Sequence, residues 1–374
     1  MRMKGMRSDG FALAKEIKAQ AHALGFDLCG IAGAEPSVFR KEFLDWLARG
    51  FHGEMGYMAR DPERRLDPRQ AIPEAKSIVA VGMNYYPGDD PPAPDPHNAI
   101  FARYARNMDY HAVMTERLNR LLASIQEREP EAQGRVYVDT GPILEREVAR
   151  RAGLGWFGKN AMLINTRRGS YFLLGELLLN LPLPPDEPAQ GGCGTCTRCL
   201  DACPTGAIVR PFEVDSRRCI SYLTIELKSA IPQELAGSLG SRIFGCDICQ
   251  EVCPFNVRRS QPTDEPAFQP RAVTAASRMS DLLSMTEEEF REQFKGSPVK
   301  RAKRRGLLRN VAAALSTRED AEAIAALEQA HNDPEPLVRE QAERSLQAIR
   351  ERNTVRGGGS DYPGRSSSRS RRAT

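Results

Sequence analysis

The residues of this chain best equipped for chemistry are its cysteines. Of nine, eight fall between Cys193 and Cys253, and Cys29 stands apart near the N-terminus. The first run reads Cys193-x2-Cys196-x2-Cys199-x3-Cys203-Pro204. Three closely spaced thiolates can wrap one four-iron cluster, while the fourth, beside the proline, reaches across to a second. A zinc ribbon would show two CxxC pairs and would not need the third cysteine or the Cys-Pro ending. The second run, GCDICQEVCPFN at residues 245–256, supplies only Cys246, Cys249 and Cys253. Aligned on its Cys-Pro ending, its first ligand position falls on Ile243, which cannot bind iron. Two such clusters need eight thiolates, and Cys219 in RRCISYL is the cysteine left in the region. The spacing predicts one [4Fe-4S] cluster on Cys193, Cys196, Cys199 and Cys253, and another on Cys203, Cys219, Cys246 and Cys249. With no export signal, clustered cysteines point to metal or redox chemistry before disulfides. Cys29 reads as a small buried hydrophobe.

A carboxylate is the second candidate. In VYVDTGPILEREVARRAGLGWFGKNAML, residues 136–163, Val136 and Val138 alternate with Tyr137 as in a strand, and Asp139 stands where that strand ends. TGP then turns the chain into a helix beginning near Ile143. Partial burial at such a place raises a carboxyl toward the range of a general acid. The alternative is a cap on the turn or helix that follows. Five histidines (His22, His52, His97, His111 and His331) lack metal-ligand spacing. The stretch Asp95 to Ile100 begins like the DxHxxG signature that gives a histidine to cobalt, but Ile100 takes the glycine position, so the match is read as chance. No GxGxxG follows a strand and no P-loop is present, which removes the usual dinucleotide and nucleotide sites.

A cysteine cassette of this kind is a wire, and the rest of the chain must use the electrons. At 374 residues the chain exceeds one core, so two or three domains are expected. Its 41% hydrophobic and 27% charged residues read as globular. Over residues 1–185, strand signals (KSIVAVGMNYY at 76–86, GRVYVDTG at 134–141) interleave with helical ones (FALAKEIKAQAHALG at 11–25, MTERLNRLLASIQER at 114–128). This predicts a mixed α/β catalytic domain, broken locally by the proline-rich loop at 87–98. Residues 186–260 form the ferredoxin-like domain. Residues 261–352 turn helical, with helices at 307–316, 319–331 and 335–350, the last stretch resembling a HEAT-type repeat. Residues 353–374 read as a disordered basic tail. The fold class is thus α+β and multidomain.

Net charge is only +4, but KRAKRRGLLRN at 300–310 holds six basic residues and the tail from 354 holds five arginines against one aspartate. Both would attract a polyanion, or simply be solvated. The most apolar segment, YFLLGELLLNLPLP at 171–184, carries Glu176 and two prolines and is too short to span a bilayer. The N-terminus has no apolar run suited to a signal peptide, so a cytoplasmic protein without a membrane partner is expected.

VDTGPILEREVARRAGLGWFGKN, taken with CGTCTRCLDACPTGAI, RRCISYLT and FGCDICQEVCPFN, resembles the epoxyqueuosine reductase (QueG) family over roughly residues 10–350. The resemblance implies reduction of epoxyqueuosine to queuosine at the wobble position of GUN-anticodon tRNAs (the Asp, Asn, His and Tyr isoacceptors). It implies cobalamin in the N-terminal domain, two [4Fe-4S] clusters, a low-potential donor such as ferredoxin or flavodoxin, and a monomer. Asp139 matches the family's proton donor. Arg65, Ala102, Leu163, Leu174, Ser221, Cys246 and Asp247 match positions that line the cobalamin, with Arg146 a further candidate. The missing DxHxxG histidine agrees with a family whose cobalt takes no protein histidine. A tRNA substrate gives Lys300, Arg301, Lys303, Arg304 and Arg305 the role of a phosphate face. Two rival readings are a corrinoid-dependent reductase of small molecules, akin to reductive dehalogenases, and a plain two-cluster electron carrier. The first is usually exported, and the second leaves Asp139 and most of the chain unexplained.

Overall fold

The computed structural model describes residues 8–88 and 95–357; of the tail expected over residues 353–374, residues 353–357 are instead helical and those from 358 onward lie outside the described residues. Strand β2 (Ser77–Asn84) is buried at every position, and β4 (Phe172–Leu179) nearly so. Continuous apolar runs of this length are buried on both faces and therefore sit in the middle of a sheet. With β1 (Leu28–Gly33) and β3 (Gly134–Tyr137) they form a four-stranded sheet of order β1-β2-β4-β3, antiparallel throughout. The α/β alternation of the sequence thus builds an antiparallel sheet with helices on both faces.

Helices α1 (Ser8–Ala23) and α2 (Tyr110–Arg128) cover one face. Tyr110, Met114, Leu118, Leu121 and Ile125 form the stripe of α2 that packs on Val79, Val81 and Leu177. The short α3 (Glu145–Arg151) lies on the other face, where Val148 and Ala149 meet Ile78, Ala80 and Leu178. Gly30 permits this approach, because a Cβ there would stand 1.9 Å from the Ala152 carbonyl.

The cysteine-rich segment contributes only short helices and a two-stranded hairpin (Ile208–Arg210 with Glu213–Val214). Beyond it come α4 (Lys303–Leu315), α5 (Ala321–Ala330) and α6 (Pro336–Gly357). These helices do not make their own core. Phe101 and Phe244, brought together by parallel pairing of Ile100–Phe101 with Arg242–Phe244, are packed inside it, while Phe268 belongs to the core of the sheet. Buried Asn310 donates to Thr224 O (2.7 Å) and Ile243 O (2.8 Å), so α4 is stapled to the cysteine-rich segment. The three segments of the sequence are packed as one body with shared cores. No helix among the described residues is long and apolar enough to cross a membrane.

Candidate active site and iron–sulfur centres

β3 ends at Tyr137, and Asp139 follows in the left-handed region with φ of 57°. Aspartate is one of the few side chains that tolerate this backbone. The turn is tight, Thr140 N donating to Val138 O at 2.6 Å, and Asp139 N donates to Glu145 Oε1 at 2.5 Å. Leu144 is still outside helical geometry, so α3 begins at Glu145 rather than near Ile143, and it has no side-chain cap. The Asp139 carboxyl is therefore free of the capping role. It is 57% exposed, and its neighbour is His111, whose Nε2 lies 3.4 Å from Oδ2. His111 Nδ1 lies 2.6 Å from Asp109 Oδ1, and its ring stacks on Tyr110. Burial alone would lower the His111 pKa, but Asp109 and Asp139 outweigh it and raise it to about 9.

Behind this turn lies a second carboxyl pair. Glu176 faces Tyr137 across the strands and is fully buried, and no N–H or O–H donor among the described residues reaches either of its oxygens. Its neighbour is Glu145. Burial, then the charges of Glu145 and Asp139, push Glu176 well above the usual carboxyl range, while burial and Asp139 raise Glu145 to about 7. A protonated Glu176 donating to Glu145 satisfies both groups.

Around the turn the other sequence-derived positions fall on two rims. Arg65 donates to Gly141 O (3.3 Å) and Tyr57 O (3.4 Å), and Arg146 to Ala161 O (2.5 Å). Arg146 has accessible surface, and desolvation by the atoms around it disfavours its charge. Leu163 and Leu174 pack beside Tyr137 and Ile143. On the second rim Ala102 N donates to Phe244 O (2.8 Å), and Arg103 N to Asp247 Oδ2 (2.7 Å). Burial raises the Asp247 carboxyl despite Arg103. Between them Gly245 has φ of 71°, and a Cβ there would stand 2.6 Å from that of Ala102. Ser221, two residues after Cys219, lowers the pKa of that thiol against its burial. Tyr104, which feels the charges of both Asp139 and Asp247, joins the rims.

All eight clustered cysteines are free thiols, and their mutual repulsion sorts them. After burial, Cys199 is raised to about 11 by Cys193 and Cys253, and Cys253 is raised by Cys193 and Cys196. After burial, Cys219 is raised by Cys203; Cys246 is pushed up to about 12, with Cys219 contributing; and Cys249 is raised by Cys246 and Cys219. The thiols that feel one another's charge are thus mainly Cys193, Cys196, Cys199 and Cys253 on one side and Cys203, Cys219, Cys246 and Cys249 on the other, with Cys199 also acting on Cys249. Thiols that resist ionisation through burial and mutual repulsion release their protons to a bound cation. Backbone N–H groups already point at two sulfurs, Lys159 N at Cys193 Sγ (3.4 Å) and Ala207 N at Cys203 Sγ (3.3 Å). Apolar shells surround both sets, Trp156, Ile164 and Phe255 around the first and Ile220, Leu223 and Ile248 around the second. The residues present fit two iron–sulfur clusters.

The basic run needs correction. Arg304 is buried, donates to Met285 O (2.7 Å) and forks onto Asp333 at 3.1 and 2.5 Å, so it holds α4 to the following helices and faces no phosphate. Nor is the run one helix, since Lys303 has φ of 59° where a 3-10 turn meets α4. Lys300, Lys303 and Arg305 are exposed, and Arg301 pairs with Glu226 at 2.9 Å. Lys303, Arg305, Arg301, Arg60 and Lys228 line a cleft of about 390 Å³ shared with Tyr57. His97 Nε2 lies 3.0 Å from an Arg318 guanidinium nitrogen, and its Nδ1 lies 3.7 Å from Glu322 Oε2.

Reading the sequence missed Glu145, Glu176 and His111. Glu176 did leave a signal, as a lone carboxyl in the buried run FLLGELLL. Glu145 and His111 left none, since both are known by their distance to Asp139.

Two family profiles match the chain. One, described as epoxyqueuosine reductase QueG, covers residues 65–140, and the other, a 4Fe-4S double cluster binding domain, covers residues 192–256. The epoxyqueuosine reductase of Xanthomonas campestris is 43% identical over 339 residues, spanning 89% of this chain and 95% of the relative. A crystal structure of epoxyqueuosine reductase with an epoxyqueuosine-modified tRNA-Tyr stem loop superposes with a TM-score of 0.84 at 34% identity, covering 90% of each chain. The Bacillus subtilis epoxyqueuosine reductase, in a structure with its aspartate-bearing catalytic loop swung out of the active site, matches with a TM-score of 0.84 at 32% identity, covering 94% of this chain and 95% of that one. With likeness to epoxyqueuosine reductases along nearly the whole chain, this protein belongs to the epoxyqueuosine reductase family and is an oxidoreductase.

Proposed function

We propose that the chain reduces the epoxide of epoxyqueuosine to the alkene of queuosine at the wobble position of GUN-anticodon tRNAs, the last step of that modification. The carrying observation is the place of Asp139, an accessible carboxyl on a strained turn, whose charge reaches Tyr104 together with that of Asp247, the neighbour of Cys246. Loss of an epoxide oxygen as water consumes two electrons and two protons. Asp139 gives a proton to the departing oxygen, and His111, 3.4 Å from Oδ2, is placed to return one.

The residues present fit cobalamin: Arg146 is accessible yet desolvated, and Tyr137 Oη is buried with no hydrogen-bond partner among the described residues. Arg65, Ala102, Arg146, Leu163, Leu174, Ser221, Cys246 and Asp247 would hold it. Bound there, cobalamin supplies the reducing centre for C–O cleavage. Buried Gly245 and Asp247 flank Cys246, while the residues around Cys193, Cys196 and Cys199 are exposed, which orders the two sets as inner and outer stations for electrons from a low-potential donor such as ferredoxin or flavodoxin. Lys300, Arg301, Lys303 and Arg305 offer phosphate contacts beside the cleft, and a single nucleoside would enter it from the anticodon loop.

Anaerobic turnover of epoxyqueuosine-containing tRNA by reconstituted protein, with and without cobalamin, tests the reading by mass spectrometry of the nucleosides. Queuosine formed only with cobalamin is expected. Holoprotein with intact clusters that yields none would turn the assignment toward a small-molecule substrate.

A further inference from the structure

We propose that the exposed surface around Cys193, Cys196 and Cys199 is the docking site for an acidic one-electron carrier protein, an inference that rests on reading the cysteines as two cluster sites. The chain has no nicotinamide or flavin motif of its own, and a [4Fe-4S] cluster accepts one electron at a time, so reducing equivalents must arrive singly from outside. The two cysteine sets differ in access. Gly191, Gly192, Gly194, Thr195, Thr197 and Arg198, which carry the first set, are all exposed. The residues that flank the second set, Ile220, Gly245, Asp247 and Gln250, are buried. The first set is the point of entry.

The surface there is unusual for this molecule. Phe212 is 57% exposed in a left-handed backbone with φ of 71°. Its N–H is bonded to Lys159 O (2.9 Å), and Lys159 N in turn to Cys193 Sγ, so the ring stands one residue away from the thiol. Val209, on the same hairpin, is 42% exposed, and Val257, on the short helix that follows Cys253, is 68% exposed. Of the seven large hydrophobic residues that are exposed among the described residues, these are three. Their flanks are positive. Arg198, Arg258 and Arg259 are exposed and have no ion-pair partner among the described residues. The nearby Glu213 is already neutralised by Arg49 and Arg210. Exposed apolar side chains and unpaired arginines near one cysteine set, with Asp201 the exposed acid in the helix of Arg198, suit a transient partner of opposite charge, which electrostatics steers and a small contact releases. At each encounter the carrier is oxidised by one electron and the outer cluster reduced by one, with no bond made or broken, and two encounters supply one epoxide reduction.

The test uses the holoenzyme with photoreduced flavodoxin, a small acidic one-electron carrier, and with reduced methyl viologen as a second reductant. In an Arg198→Glu/Arg258→Glu protein, the flavodoxin concentration giving half-maximal cluster bleaching should rise about tenfold, and the decline of rate with salt should flatten. Phe212→Gly, which keeps the left-handed backbone, should slow bleaching by flavodoxin without changing its salt dependence. Viologen should bleach both variants at the wild-type rate, and tRNA affinity should be unchanged. Unaltered flavodoxin kinetics in both variants overturn the proposal, and a loss of tRNA affinity would give the patch to RNA instead. Failure of viologen to bleach the wild-type protein would strike the cluster reading itself.

Discussion

The backbone N–H of Asp139 is bonded to Glu145 Oε1 at 2.5 Å, so the carboxyl assigned to proton transfer is held by the side chain of a second carboxyl six residues on. Left-handed backbone costs a non-glycine residue about 1 kcal/mol, and this bond offsets the strain. Glu145→Ala should let the turn relax and reduce single-turnover rates about 10²-fold through misplacement of Asp139. Iron content and tRNA affinity should stay at wild-type levels. Glu145→Gln keeps an acceptor oxygen and should lose far less. Equal losses in the two variants would mean that Glu145 acts through its charge and not through the bond.

The Glu145–Glu176 pair makes stability fall as pH rises. Both carboxyls are raised in the folded chain, Glu145 to about 7, mainly by burial. Above the ordinary carboxyl range, the folded state keeps a proton that the unfolded state has released, so each rise in pH favours unfolding until the folded pKa is passed. The stabilising contribution is present in acid and is lost toward neutral pH for Glu145, and at still higher pH for Glu176. Glu176→Gln supplies a permanent N–H donor to Glu145 and removes one titrating group. Urea unfolding at about pH 5 and about pH 8 should show a smaller loss of midpoint in Glu176→Gln than in wild type. The same loss in both proteins would reject a proton shared by the pair.

What could be read in the sequence and what could not divides along chain distance. The buried strand SIVAVGMN, the amphipathic stripe of α2 and the Cys-Pro runs are local patterns, and the structure contains a strand, a helix and cysteine sets at those places. Asp139 was also local, a carboxyl just past a strand. The Glu145–Glu176 pair depends on cross-strand register between Tyr137 and Glu176, which no spacing encodes. Phe101 and Phe244 lie far apart in sequence, and only their pairing carries them into the helical core. Arg304 was misread because a basic run carries no mark of which member turns inward. That is decided by helical phase and by Asp333, 29 residues on.

Arg304 and Arg305 therefore predict opposite behaviour from adjacent positions. Arg304→Ala leaves Asp333 buried without its partner and should cost about 3 kcal/mol of stability. The salt dependence of tRNA binding should stay as it was, measured under conditions where the variant is folded. Arg305→Ala should leave stability within about 0.5 kcal/mol of wild type while lowering the slope of log affinity against log salt by about one. Lys303→Ala should lower the slope similarly. If Arg304→Ala flattened the salt dependence and Arg305→Ala did not, the basic cleft would not be the phosphate contact.

Cys219 offers the sharpest separation of the two cysteine sets, because it lies outside both runs and is tied to its set by the fold alone. It precedes the helix Ile220–Ile225 and packs with Cys246 and Ile248 beneath Leu223. Cys219→Ala removes one ligand from the inner set and none from the outer. Two complete clusters hold about eight irons, so this variant should reconstitute to about four. The remaining signal should come from the exposed outer set and should still bleach with flavodoxin. Turnover should nevertheless fail, because the set that borders Asp247 is the one lost. Cys253→Ala makes the reciprocal case: iron again falls to about four, the inner set survives, and flavodoxin should reduce it slowly while a small viologen still reaches it. If both variants instead lost all iron, the sets would be coupled in assembly. If Cys219→Ala kept all of its iron, the inner ligand set would have to be drawn without this residue.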